Sequence, residues 1–181
     1  MTLDDKFEAL GRLGAGDFGH FNGSLREHLM GTRDRLISYG ADAVLCDAGL
    51  FHAAYGTAGF AANMVSLDQR SAIADIIGAE AEAQVYLYCA CDRDYFWPKI
   101  GIEEPLMFRD RFTSEMFEIS DEQLCAFCEL TIANENDISS QNAEFMAEWG
   151  AHHGALFARM EPWVSDAATV DSRGLYGTGP A

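Results

Sequence analysis

The sequence predicts an all-α domain with one short β-hairpin, and three observations carry that prediction. Apolar residues recur at i, i+3, i+4 and i+7 through successive stretches of the chain, the signature of helices with one buried face. Capping boxes, a Ser followed three residues later by Glu or Gln, open several of those stretches at Ser24, Ser66 and Ser120. Glycines stop them, at Gly40, Gly56 and Gly78. The 181 residues suffice for one core, and no Pro-, Ser- or Gln-rich linker divides them. A single helical domain over residues 1–165 and a flexible C-terminal tail over 166–181 follow.

A first helix spans about Leu3 to Leu13, with Phe7 and Leu10 on one face. The next ten residues, GAGDFGHFNG, hold four glycines and form a loop that carries His20. Ser24 and Glu27 open the second helix, which places Leu25, His28, Leu29, Thr32 and Leu36 on one face and ends at Gly40. A third, from about Ala41 to Tyr55, aligns Leu45, Ala48, Phe51, His52 and Tyr55. Ser66 and Gln69 cap a helix to Ile77, and helix resumes at Ala79 with Ala81, Val85, Tyr88, Cys89 and Asp92 on a common face. From Pro105 to Ile119 the periodicity lapses and β-formers mix with charges, which predicts the hairpin. Ser120 and Gln123 then cap a helix to about Asn134. A last helix, about Ser140 to Met160, aligns Phe145, Trp149, His152, Leu156 and Met160. The tail DSRGLYGTGPA has the Gly and Pro content of a frayed end.

Charge excludes some functions. With 12 Lys and Arg against 29 Asp and Glu, the formal net charge is −17, and such a chain lacks the clustered cations that nucleic acid or an anionic membrane surface requires. No apolar run is long enough to span a bilayer, and the acidic start MTLDDKFEALGRLG is unlike a secretory signal, so a cytoplasmic protein is expected. The odd set of five cysteines, Cys46, Cys89, Cys91, Cys125 and Cys128, lies in apolar helical stretches. It reads as buried reduced thiols rather than zinc ligands or disulfides. Arg26, Arg33 and Arg93 read as helix-surface arginines paired with acids, and Trp97, Trp149 and Trp163 as core or lid aromatics. His152 and His153 point about 100° apart on a helix, so one of them faces the core.

The chemistry concentrates in two histidines on the apolar faces of consecutive helices, His28 and His52. Either alone reads as a hydrogen-bonded core residue before it reads as a ligand or catalyst. Together with the inward acid Asp92 they form a group of polar side chains whose burial is costly unless they serve one another or a ligand.

The segments S-L-R-E-H-L-M-G-T, residues 24–32, and A-G-L-F-H-A-A-Y-G-T, residues 48–57, resemble the paired helices of the HD-domain superfamily. The closest likeness is to a branch marked by H-L-x-G-T and A-G-L-F-H-x-x-Y-G-T. The order of elements extends the resemblance over roughly residues 20–135. It implies an HD-domain-like helical bundle that binds divalent metal; most such proteins are phosphohydrolases, and some are non-haem di-iron oxygenases. His28 and His52 match the metal-binding histidines by motif, while Asp92 stands for the later Asp by position and face alone. Ala53 occupies the place of the Asp that normally follows the second histidine, so a dinuclear centre is not expected.

Three readings stay open. His28, His52 and Asp92 form a mononuclear iron or zinc site for hydrolysis or oxygenation of a small-molecule substrate, with His20 shuttling protons. Alternatively, His28 and His52 act as acid and base in a cofactor-free lyase, isomerase or cyclase, with Tyr55 hydrogen-bonding the substrate. The last is a binding or interaction domain that keeps only the fold. Oligomeric state does not follow from the sequence.

Overall fold

The computed structural model describes residues 1–13, 23–59 and 64–177, and it is all-α with one two-stranded antiparallel sheet. His20 lies outside the described residues. Helix α1 (Leu3–Arg12) is held by a reciprocal capping box between Thr2 and Asp5. Helix α2 (Gly23–Tyr39) already includes Gly23 and Ser24, so Ser24 is not the N-cap the sequence suggested. It ends at Gly40, whose φ of 83° is the left-handed geometry that favours glycine.

Helix α3 (Ala43–Phe51) is capped by Asp42 and is shorter than expected. Its C-cap is His52, and the chain turns through Ala53–Tyr55 before Gly56. Ser66 and Gln69 make the predicted capping box, ahead of α4 (Arg70–Ile77) and α5 (Ala79–Ala90). A short helix α6 (Arg93–Phe96) follows, with Asp92 as its N-cap. The predicted hairpin pairs β1 (Met107–Arg109) with β2 (Met116–Glu118), Phe108 facing Phe117 across the ladder.

Ser120 and Gln123 open α7 (Asp121–Gln141) as expected, but the helix runs seven residues past Asn134. Helix α8 (Ala143–Met160) starts from the Asn142 N-cap. The expected flexible tail is also corrected: Ser165 caps a further helix, α9 (Asp166–Tyr176), which packs on α7 and α8. Its Asp171 accepts hydrogen bonds from Tyr39, Arg35 and Asn136, tying α9 to α2 and α7.

The core falls into two apolar clusters. One joins α1, α3, α4 and α5 around Leu10, Phe51, Ile73 and Val85; the other joins α5, α6, β1, α7 and α8 around Tyr88, Phe96, Phe108 and Phe157. Helix α7 is buried along most of its length and touches α2, α3, α5, α8 and α9. Two glycines set how closely the site-bearing helices meet. A Cβ at Gly49 would collide with the Leu36 side chain, so Gly49 lets α3 close on α2. A Cβ at Gly31 would collide with the Asp137 carboxylate, so Gly31 lets an acid from α7 lie against α2. Both belong to the sequence motifs noted above, and here they have steric reasons.

All five cysteines are free, and Cys46, Cys89, Cys91 and Cys128 are buried, as expected. Cys125 is the exposed one. Burial pushes the Cys89 thiol up to about 12, which keeps it protonated and unreactive. No helix among the described residues is long and apolar enough to cross a membrane.

Candidate functional site

His28 and His52 meet at the inner end of a cavity of about 650 Å³, their rings edge to face with centroids 5.2 Å apart. His52 sits where α3 ends, so its ring can turn back on the last turn of the helix. Its Nδ1 lies 2.7 Å from the Gly49 carbonyl, an acceptor, and therefore carries the proton. Nε2 is left with its lone pair, and the Asn134 side chain is a neighbour of the ring. Burial above all, helped by the neighbouring His28 and Arg93 and opposed by the Gly49 bond, pushes the ring's pKa down from 6.5 to about 3. His52 is a neutral imidazole with a fixed tautomer.

His28 projects from α2 toward α7 and is bound at both nitrogens. Nδ1 lies 2.7 Å from Asp137 Oδ2, and Nε2 lies 3.0 Å from Asn134 Oδ1. The Asn134 amide is oriented by its own Nδ2, which donates to Glu135 Oε1 at 2.9 Å, so its oxygen must face His28. Both partners are acceptors. The hydrogen-bonded arrangement is thus satisfied in full only by a doubly protonated ring, with Asp137 supplying the countercharge. Gln141 donates to the other Asp137 oxygen at 3.0 Å and fixes the carboxylate. The two rings stand in different surroundings, His28 facing an acceptor at each nitrogen and His52 bonded through Nδ1 to the Gly49 carbonyl.

Farther out, Arg93 and Glu135 form a buried pair, Nη1 to Oε1 at 3.0 Å. Arg93 also donates to the Tyr88 hydroxyl at 3.0 Å, and its guanidinium lies 4.7 Å from the Trp97 ring centroid. It is not the surface arginine expected from sequence. The outer wall is aromatic, made by Trp97, Phe145, Trp149, His152 and His153. His153 is the inward member of its pair and is stacked on Phe157, while His152 is exposed. Trp149, expected on the inward face of α8, is 43% exposed at this wall.

Two predicted residues serve elsewhere. Asp92, expected beside the histidines, falls beyond the end of α5, where it caps α6 by accepting from the Tyr95 amide and pairs with Arg109 at 2.6 Å. It is not among the residues that line the cavity. The carboxylate that does reach His28 from a later helix is Asp137. Tyr55 turns away as well: its hydroxyl donates to Glu82 at 2.9 Å, and Arg70 clamps that carboxylate with two nitrogens. It is therefore placed to tie α4 and α5 to the turn after α3 and does not line the cavity.

Asn134, Glu135 and Asp137 escaped sequence reading because N-E-N-D resembles a polar helix end. A signal was present all the same. Asn134 and Asp137 continue the row through Phe127, Leu130 and Thr131 at helical spacing, which places them on the buried face.

The donors present do not fit a divalent metal in this arrangement. Both His28 nitrogens are engaged, Asp92 is held by Arg109, Ala53 offers no ligand, and the Arg93 guanidinium contributes positive charge to the same cavity. Among the described residues, no three His, Cys, Asp or Glu side chains are grouped to hold an ion.

Residues 9–93 match a family described as a domain of unknown function (DUF6817). The matched stretch contains α2, α3 and both histidines and ends at Arg93, ahead of the hairpin and α7. No match was found among curated proteins or among solved structures.

Proposed function

We propose that the cavity is the active site of a small-molecule enzyme that moves protons between substrate atoms with His52 as base and His28 as acid. One observation carries this reading. Two histidines meet in the lining of one cavity, His28 with a hydrogen-bond acceptor at each nitrogen and His52 with its Nδ1 proton on the Gly49 carbonyl. His52 Nε2 accepts a proton from the substrate, and the Asn134 carbonyl oxygen is the group positioned to receive the new N–H. The substrate atom that gains charge displaces the Asn134 oxygen as the acceptor of His28 Nε2–H, while Asp137 steadies Nδ1–H as the proton leaves. Proton transfer without net redox suits a lyase, isomerase or cyclase. The order of His28 and His52 on consecutive helices, with Asp137 on a later one, supports kinship with HD-domain proteins. The chemistry proposed departs from the metal-dependent hydrolysis or oxygenation that kinship implies.

The test is deuterium uptake from heavy water into a panel of enolisable ketones and aldehydes, read by mass spectrometry with chelator-treated protein. The parent is expected to label at least one compound. His52→Gln and His28→Gln are expected to lower that rate by roughly 10²-fold or more while remaining folded. Turnover that vanishes on chelation and returns with iron or zinc would overturn the reading in favour of a metal centre.

A further inference from the structure

The geometry points to a hydroxylated, uncharged aromatic molecule as the class of ligand this cavity takes, an inference that rests on the cavity being the site proposed above. The outer wall supplies flat surfaces. Trp97, Phe145, Trp149 and His153 present rings there, and Trp149 is 43% exposed beside the buried Trp97 and His153. An exposed indole at the mouth of a cavity has a free face for stacking.

Charge narrows the class further. Arg93 is the one Lys or Arg among the described lining residues, and Glu135 already neutralises it at 3.0 Å. The described lining adds Asp94, and His28 is paired with Asp137. A phosphate or other strong anion would enter this cavity without a free cation to meet it. The segments outside the described residues contain no Lys or Arg either.

A hydroxyl has a place waiting. His153 is 3% exposed, its Nδ1 has no hydrogen-bond partner, and its Nε2 stands 3.9 Å from Glu135 Oε2, too far for a direct bond. Burial lowers the His153 pKa, so the ring is a neutral neighbour. A ligand O–H in that gap donates to the carboxylate and joins the two groups, with its ring against Trp149 and its far end toward the histidine pair.

The experiment is calorimetric titration of the full chain with three matched probes: naphthol, its saturated counterpart decahydronaphthol, and naphthyl phosphate. Naphthol is expected to bind about tenfold more tightly than either of the others. Trp149→Ala is expected to weaken naphthol by about threefold to tenfold, while Val170→Ala, an exposed apolar position on α9, leaves it unchanged. Equal affinity for the saturated ring, tighter binding of the phosphate, or an unaffected Trp149→Ala would overturn the assignment. Deuterium labelling measured on the same preparations separates it from the proton-transfer reading. Labelling by a parent that does not bind naphthol sinks only the ligand class. Naphthol binding by a parent that labels nothing supports the ligand class and counts against the proposed reaction.

Discussion

His52 shows how a single side chain can be fixed by its backbone setting. Because α3 ends at Phe51, the ring folds back onto the Gly49 carbonyl, which decides the tautomer before any ligand arrives. Its folded-state pKa of about 3 lies below the unfolded value of 6.5. Between those values the unfolded chain binds a proton that the folded protein refuses. Stability contributed by the neutral ring is therefore fully present above 6.5 and is lost as pH falls toward 3, by up to ~1.4 kcal/mol per pH unit. Urea denaturation of the parent and His52→Gln at pH 7 and pH 5 checks this. The parent is expected to lose about 2 kcal/mol more than the variant over that interval, and equal losses would contradict the assignment. Gly31 gives a second prediction at this scale. Gly31→Ala drives a methyl into the Asp137 carboxylate, which His28 and Gln141 hold in place. A loss of about 1–3 kcal/mol in thermal unfolding is expected.

At the scale of elements, the caps were the most legible part of the sequence. The boxes at Ser66 and Ser120, the stop at Gly40 and the hairpin between Pro105 and Ile119 all formed where local chemistry put them. Local chemistry could not show that α7 continues through Asn134–Asp137. Those polar residues pay for burial with partners on α2, α6 and α9, which are distant in sequence. The same blindness placed Asp92 on α5, where the periodicity of Tyr88 and Cys89 appears to continue although the helix stops at Ala90. His28 and His52 were visible because each sits on an apolar face within a distinctive motif, whereas their partners on α7 carry no motif. Substitution separates the two carboxylates. Asp92→Ala removes a cap and a half-exposed ion pair, so a stability loss of about 1 kcal/mol with unchanged naphthol binding is expected. Asp137→Asn removes the countercharge of His28, and deuterium labelling is expected to fall at least about tenfold. Labelling lost in Asp92→Ala and kept in Asp137→Asn would reverse their roles.

Across the whole molecule, α9 completes what the two histidine-bearing helices begin. Asp171 gathers Tyr39 and Arg35 from α2 and Asn136 from α7, and Arg35 reaches within 3.9 Å of Asp137. The C-terminal helix thus braces the two elements between which His28 is held. Asp171→Ala leaves a partly buried guanidinium and an amide short of partners, and a loss of about 2 kcal/mol in denaturant unfolding is expected. The histidine pair is proposed to work in opposite protonation states and without a metal. Nitrogen-15 NMR of the histidine rings at neutral pH tests it most directly, recorded before and after addition of zinc and then chelator. Protons on both nitrogens of His28, a proton on Nδ1 alone in His52, and signals that neither zinc nor chelator moves are expected. A proton on Nε2 of His52, or ring signals of both residues that shift together with zinc and return with chelator, would contradict it.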